Sequence, residues 1–347
     1  MSEAVVTGSL GSVFEAPTSD AALLWRRFCK ERLALTALAV LIVIVLACFV
    51  GEPLLVRVLG HGPGTFFPKA VDLNLKPVGP WSHVPNQPLD APSHHGTTFF
   101  LLGGDGPLGR DEFLRILAGG RLSLEIACIA TSIALTIGIV LGALAGWFGG
   151  LVDAVVGRMT EVVMAFPILL LVIAIGQTIA ARLEAITLHG LLAPGVIGLA
   201  TMIGLFSWFY PARVVRALTF SLREHEFVEA ARMTGAGEFR ILRKHVLPHL
   251  GGPMIVWGTL VAAGVIVLEA ALSILNFGVK LGTASWGSLL SDSWGTLLVF
   301  NPGSATPQTV KSNWVLLWPS LALFLTVLCL ALVGDGLRNA LDPRGEG

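Results

Sequence analysis

Residues 213–250 read RVVRALTFSLREHEFVEAARMTGAGEFRILRKHVLPHL, and the architecture follows from how this stretch is read. Its composition is helical, yet Gly235 and Gly237 interrupt it and Pro248 stands near its end. Two helices joined at the glycines are therefore expected, with Gly235 free to turn the backbone sharply because it has no Cβ. The first helix carries Phe227, Ala230 and Ala231 on a small apolar face, rimmed by Arg223, Glu224, Glu226, Glu229 and Arg232. The second carries Phe239, Ile241, Leu242 and Val246, with Arg240, Arg243 and Lys244 beside them. Two readings stay open on these grounds. The segment is an amphipathic connector lying on a membrane surface, or its small apolar face with a charged rim is shaped for a groove on another protein.

On either side of this stretch the chain is apolar over membrane-spanning lengths. Only 13% of the 347 residues are charged, about half the share of a soluble domain. The charges crowd between long apolar runs, which points to a polytopic membrane protein rather than a soluble one with a large core. Six spans are expected, at roughly 33–50, 121–147, 159–180, 191–212, 251–272 and 314–334. The first begins behind a long polar leader, so it reads as a retained span and not a cleaved signal. Residues 1–20 read as a disordered tail. Ser19 or Asp20 is placed to cap a helix over 21–50 that carries Trp25, Arg26, Arg27, Lys30 and Arg32 to the membrane.

The connections are read as follows. Residues 51–107, rich in proline, form an extended extracytoplasmic loop. Its adjacent His94 and His95 have no third ligand nearby and read as solvated rather than metal-binding. The stretch 149–158 is a turn, and 279–313 is a loop rich in Trp, Ser and Gly. Gly138 and Gly142 form a G-x-x-x-G spacing that serves tight packing within the chain before any dimer face. Pro167 kinks the third span. Among ionisable residues Glu269 lies deepest in a span, where it either lines a path or pairs with a polar group; Glu125 and Glu161 lie nearer span ends. With six spans both termini share a side. Fourteen cations fall on the side of the 213–250 segment and nine on the other, so both termini are expected to be cytoplasmic. Net charge is zero, which gives no bulk attraction to nucleic acid. Cys29, Cys48, Cys128 and Cys329 make no C-x-x-C pair and read as small hydrophobes.

The 213–250 segment resembles the EAA loop of binding-protein-dependent ABC importer permeases. That pattern is Glu-Ala-Ala, three residues, Gly, nine residues, an apolar residue, one residue, Leu-Pro. Here it is Glu229-Ala230-Ala231, Gly235 and Leu247-Pro248, with His245 at the apolar position, a variant the peptide-transporter branch tolerates. DGPLGRDEFLRILAGGRLSL (105–124) is similar to the signature of dipeptide and oligopeptide permeases of the C-subunit type, through Gly109, Arg110, Asp111, Arg115, Gly119, Arg121 and Ser123. It departs from that signature at Gly104-Asp105, with an extra residue before Gly109, and at Leu114, where serine is usual. LEAALSILNFGVKLGTASWGSLLSD (268–292) and GDGLRNALDPR (334–344) resemble further segments of the same branch, so the likeness covers roughly 100–345.

The resemblance implies an all-α membrane protein with six transmembrane helices and a cytoplasmic coupling helix, the type I importer domain. Its core would span 108–334, its coupling loop 222–248 and its cytoplasmic tail 335–347. It implies that Glu229, Ala230, Ala231, Arg232, Gly235, Leu247 and Pro248 couple the chain to an ATPase, with Glu229 and Arg232 paired at the rim. Gly109, Arg110, Asp111, Arg115 and Arg121 would lie on the outer side, bracing a gate in preference to contacting the binding protein. It implies two cytoplasmic ATPase subunits, a homologous permease, an extracytoplasmic binding protein and the bacterial inner membrane. The chain has no G-x-x-x-x-G-K-[ST] loop. It is thus expected to be a transport subunit and not an enzyme, without cofactor or metal, ATP and Mg residing in the partners. Peptides are the expected cargo; nickel, glutathione, oligosaccharide or haem are the alternatives within the class. A carrier or channel that works without ATP is the reading from another class, disfavoured because no internal repeat appears. No Ser/His/Asp set or H-E-x-x-H supports a membrane enzyme.

Overall fold

The computed structural model describes residues 25–72, 76–87, 96–175, 195–279, 282–300 and 314–341. The tail read at 1–20, the pair His94-His95 and residues 342–347 lie outside the described residues. The first span, α1 (Arg32–Leu59), does not stop at Gly51 as expected. A π-turn at Ala47–Gly51 carries it onward, and the wider turn makes room for the ring of Pro53, which an α-turn would not admit. The stretch read as the loop 51–107 therefore opens in helix. It continues into two small antiparallel hairpins where no β structure was expected. They pair β1 (Ser82–Pro85) with β2 (Thr97–Phe100), and β3 (Gly104–Asp105) with β4 (Arg110–Asp111).

The central element is α2 (Glu112–Phe148), 37 residues and about 55 Å long. It starts well before Arg121. Asp111 caps it, its carboxylate accepting from the backbone N–H of Phe113 (3.0 Å) and Leu114 (3.4 Å). Gly149 and Gly150, at φ 63° and 53°, make the following turn by themselves. The segment read as a turn over 149–158 is thus mostly helix, α3 (Gly150–Met164). At Pro167 the chain breaks rather than kinks: α3 and α4 (Ile168–Ile175) meet at 86°. Residues 176–180 of that expected span lie outside the described residues. The expected fourth span divides into α5 (Val196–Leu205) and α6 (Phe209–Arg223), with Pro211 in the first turn of α6, where a missing N–H costs nothing.

After the short α7 (Glu226–Met233) comes α8 (Glu238–Ile274), which fuses the second elbow helix with the fifth span. Pro248 was expected to separate the two. A π-turn at Leu242–Val246 absorbs it instead. α9 (Trp286–Phe300) occupies the expected loop, and α10 (Trp314–Leu341) draws 335–341 out of the expected tail into helix. Among the described residues four helices are long and apolar enough to cross a membrane (α1, α2, α8, α10), or five with the bent α3–α4 pair, against six expected.

α2 packs along α6, α5 and α8; α8 packs on α10, and α10 on α1. Small residues set the closest of these approaches. A Cβ on Gly138, Gly142 or Gly146 would come within 2.7, 2.5 and 2.5 Å of α6 atoms. The G-x-x-x-G spacing thus serves packing inside the chain, as read.

Candidate functional site

The elbow is built on a buried apolar cluster. Trp147 from the end of α2, Val215 from α6, Val228 from α7, and Ile241, Leu242 and Val246 from α8 close on one another. Burial at helical spacing shows which side of α7 turns toward its own chain: Val228 is fully buried, and Phe227 and Ala231 pack inward against the same cluster. Glu226, Glu229, Ala230 and Met233 point outward, and Met233 is 84% exposed. The face expected to hold Phe227, Ala230 and Ala231 together is therefore divided. Ala230 is presented outward with Met233, while Phe227 and Ala231 hold the helix to its own chain. The ring of Phe227 also stacks on His249 at 5.2 Å.

Gly235 turns the elbow at φ 82°, in the left-handed region. Two backbone bonds close it, from Gly235 N–H to the Arg232 carbonyl (2.9 Å) and from Ala236 N–H to the Ala231 carbonyl (3.1 Å). The expected pairing of Glu229 with Arg232 does not form. Arg232 instead donates in a fork to Glu238 across the turn, at 3.1 and 3.2 Å. Its guanidinium carbon also lies 5.7 Å from the centre of the Trp147 ring. Glu229 is exposed on the outward side of α7. Leu247 packs against the cluster and Pro248 is exposed on α8.

At the other end of α2 a second set of charges gathers. Gly109, at φ 61°, sits so close to Phe67 and Val71 that a side chain there would meet backbone at 2.6 Å. Its tight turn brings Arg110 and Arg115 onto Asp105: Arg110 lies 3.0 Å from it, and the Arg115 Nε contacts the same carboxylate. Asp292 of α9 reaches both guanidiniums, at 3.6 Å (Arg110) and 3.2 Å (Arg115). Burial pushes the pKa of Asp292 up and Arg115 pulls it back. His61 approaches Asp111 at 3.3 Å. Glu112 is fully buried beside them, and neither of its carboxylate oxygens has a hydrogen-bond partner among the described residues. Of the expected bracing residues, Gly109, Arg110, Asp111 and Arg115 come together. Arg121 does not; it is half-exposed, bonded to Glu125 at 3.0 Å and set over the Phe49 ring of α1.

Glu269 is fully buried and is met by hydroxyls of its own chain. Ser273 donates at 2.8 Å, Ser285 at 2.8 Å and Ser123, from α2, at 3.1 Å. It is not among the residues that line a cavity in the helical core. That cavity, of about 620 Å³, lies between the α3–α4 break, the α5–α6 break and the middle of α8; Pro167, Ser207, Tyr210 and Trp257 are among its walls, none of them charged. Glu161 pairs with Arg158 at 2.9 Å on an exposed surface. Sequence reasoning misses Met233, Trp147, His61 and Asp292. Spacing could have found Met233, one helical turn beyond Glu229 and two beyond Glu226. Nothing local links His61 to Asp111, or Trp147 to Arg232.

The comparisons bear on what this arrangement serves. The family described as binding-protein-dependent transport system inner membrane component matches residues 138–346. The N-terminal TM domain of oligopeptide transport permease C matches residues 19–77. The chain is 36% identical over 254 residues to the oligopeptide transport system permease protein OppC of Haemophilus influenzae, covering 73% of each. It is 35% identical over 242 residues to the dipeptide transport system permease protein DppC of Alkalihalophilus pseudofirmus, covering 70% of this chain and 71% of that one. The match over 138–346 takes in the whole elbow and the inner end of α2 that it packs on, and on that ground the chain belongs to the binding-protein-dependent transport system inner membrane components, the membrane subunits of ABC importers.

Proposed function

We propose that this permease forms half of a peptide translocation path and is driven by ATPases that dock on the elbow. The observation that carries the reading is the division of α7: its back is held by Phe227, Val228 and Ala231, while Glu226, Glu229, Ala230 and Met233 stand free of their own chain. A short helix held from behind, with one flexible apolar side chain and an acidic rim in front, suits a cleft on a protein. Nucleotide hydrolysis then belongs to the partners, with ATP and Mg bound there and no cofactor in this chain. A homologous permease would supply the other half of the path and an extracytoplasmic binding protein would deliver the cargo.

Both termini and the elbow would face the cytoplasm, with the Asp105–Arg115 cluster and the β1–β2 hairpin on the outer side of the bacterial inner membrane. Gly109, Arg110, Asp111 and Arg115 would brace that side by fixing α2 to α9. Peptides are favoured as cargo because the relatives above are named for oligopeptide and dipeptide transport, and because an uncharged cavity wall passes varied side chains without selecting a charge. The test is uptake by the reconstituted importer of labelled di- and oligopeptides against nickel ion, glutathione, oligosaccharide and haem. ATP-dependent accumulation of peptide alone supports the reading, and accumulation of another of these cargoes in its place overturns it.

A further inference from the structure

The eight residues of α7 are too few to hold a helix in water by themselves. Three inward side chains anchor them, and these lie along one edge, so they fix the helix in place without fixing its rotation about that edge. Arg232 supplies what is missing. It projects sideways from α7, takes both oxygens of Glu238 across Gly235, and rests over the ring of Trp147. Trp147 is buried in the last turn of α2, and its backbone carbonyl accepts from Arg223 (3.0 Å) in the last turn of α6, just before α7. A single guanidinium therefore touches the start of α8 and the end of α2. Arg223 holds the third helix of the elbow to the same residue.

We propose that Arg232 is the positioning residue of the coupling elbow: it locks the angle of the Glu226–Met233 face to the inner end of α2, so that movement of this face moves the long helix. The proposal rests on the reading of α7 as the docking helix. Arg232 acts through that face and through Trp147, and is not itself part of the docking surface. The fork needs a planar, bidentate cation, which lysine does not offer, whereas the ring contact needs only a cation over an aromatic face. Since α2 runs unbroken from Trp147 to the Asp111 cap, the lock would pass elbow movement to the Arg110–Arg115 cluster without an intervening hinge.

The experiment uses the complete importer in proteoliposomes, with both ATPases, the partner permease and the binding protein. Peptide transported per ATP hydrolysed is measured, together with the amount of ATPase retained on purification. With Arg232→Ala the ATPases remain bound and hydrolysis continues, but peptide per ATP falls at least about fivefold, the lower end of a typical coupling free energy. In the same complex, spin labels at Met233→Cys and Val140→Cys, with Cys29 and Cys128 replaced by serine, give a distance distribution that broadens with Arg232→Ala. An unchanged transport ratio in Arg232→Ala overturns the proposal. So does an unchanged distance distribution, and so does loss of the ATPases from Arg232→Ala, which would make this residue a docking contact. If the parent chain itself retains no ATPase, the docking reading falls, and the distance measurement still decides whether Arg232 fixes the angle.

Discussion

Replacing Gly142 with alanine tests the packing on which the whole elbow stands. A Cβ built there lies 2.5 Å from the Ala212 carbonyl oxygen, 2.8 Å from the Val215 Cβ and 3.1 Å from the Ala212 Cα. Two of those three neighbours are backbone, which cannot swing aside. An ordinary contact begins at 3.4 Å, so α6 must retreat by about 0.9 Å. Overpacking of this kind costs about 1–3 kcal/mol, and the greater helix propensity of alanine offsets roughly 1 kcal/mol of it. Net destabilisation of up to about 2 kcal/mol is expected. Gly157 of α3 is the control, because a Cβ there meets nothing within 4 Å. Gly157→Ala should gain from propensity alone. The assay is the thermal midpoint of the purified chain in detergent, alongside transport by the reconstituted importer. The midpoint falls for Gly142→Ala and holds or rises for Gly157→Ala. Because α6 leads into the elbow, transport falls with the first and not with the second. Equal midpoints for the two variants would refute the argument that α2 and α6 meet through glycine.

Three further outcomes follow from the buried polar groups. Asp105→Asn leaves the buried guanidiniums of Arg110 and Arg115 with Asp292 as their remaining carboxylate; a loss of about 1.5–3 kcal/mol is expected, read as a lowered unfolding midpoint. Glu112→Gln should leave the midpoint unchanged or raise it, since the carboxamide has nearly the same size and removes the cost of a buried group that can ionise without a hydrogen-bond partner among the described residues. Glu269→Ala strips the acceptor from the hydroxyls of Ser123, Ser273 and Ser285 and should cost about 2–4 kcal/mol, whereas Glu269→Gln, which keeps one acceptor oxygen, should cost clearly less. A Glu269→Gln variant that transports normally would also argue against a role for that charge in the path.

What could be read from the sequence was governed by local chemistry. Apolar runs of spanning length announced α1, α2, α8 and α10, and the glycines at 235 and 237 announced the elbow. Element ends were misjudged wherever a local signal was overruled by its surroundings. Gly51 and Pro53, and later Pro248, read as stops, yet π-turns accommodate both prolines inside continuous helices. Charges at Glu112 and Arg115 read as lying before a span, yet α2 begins there because its guanidinium is paired and Asp111 caps the first turn. The reverse error occurs at Pro167 and Pro211, where apolar runs of adequate length turn out to be broken helices. In the candidate site the motif residues were found, and their orientation was not. Spacing groups Ala230 with Glu226 and Met233, and Ala231 with Phe227, but which of these two faces turns inward depends on where Trp147 and Val215 stand.

Cross-linking from the elbow tests the account most directly. In the complete importer, with the native cysteines replaced, Met233→Cys is treated with a short maleimide-based cross-linker beside Ala231→Cys, which faces the chain's own cluster. The account predicts an adduct between position 233 and an ATPase subunit, changed in yield by ATP, and no such adduct from position 231. Full peptide transport with no adduct from position 233, or an equal adduct from position 231, would contradict it.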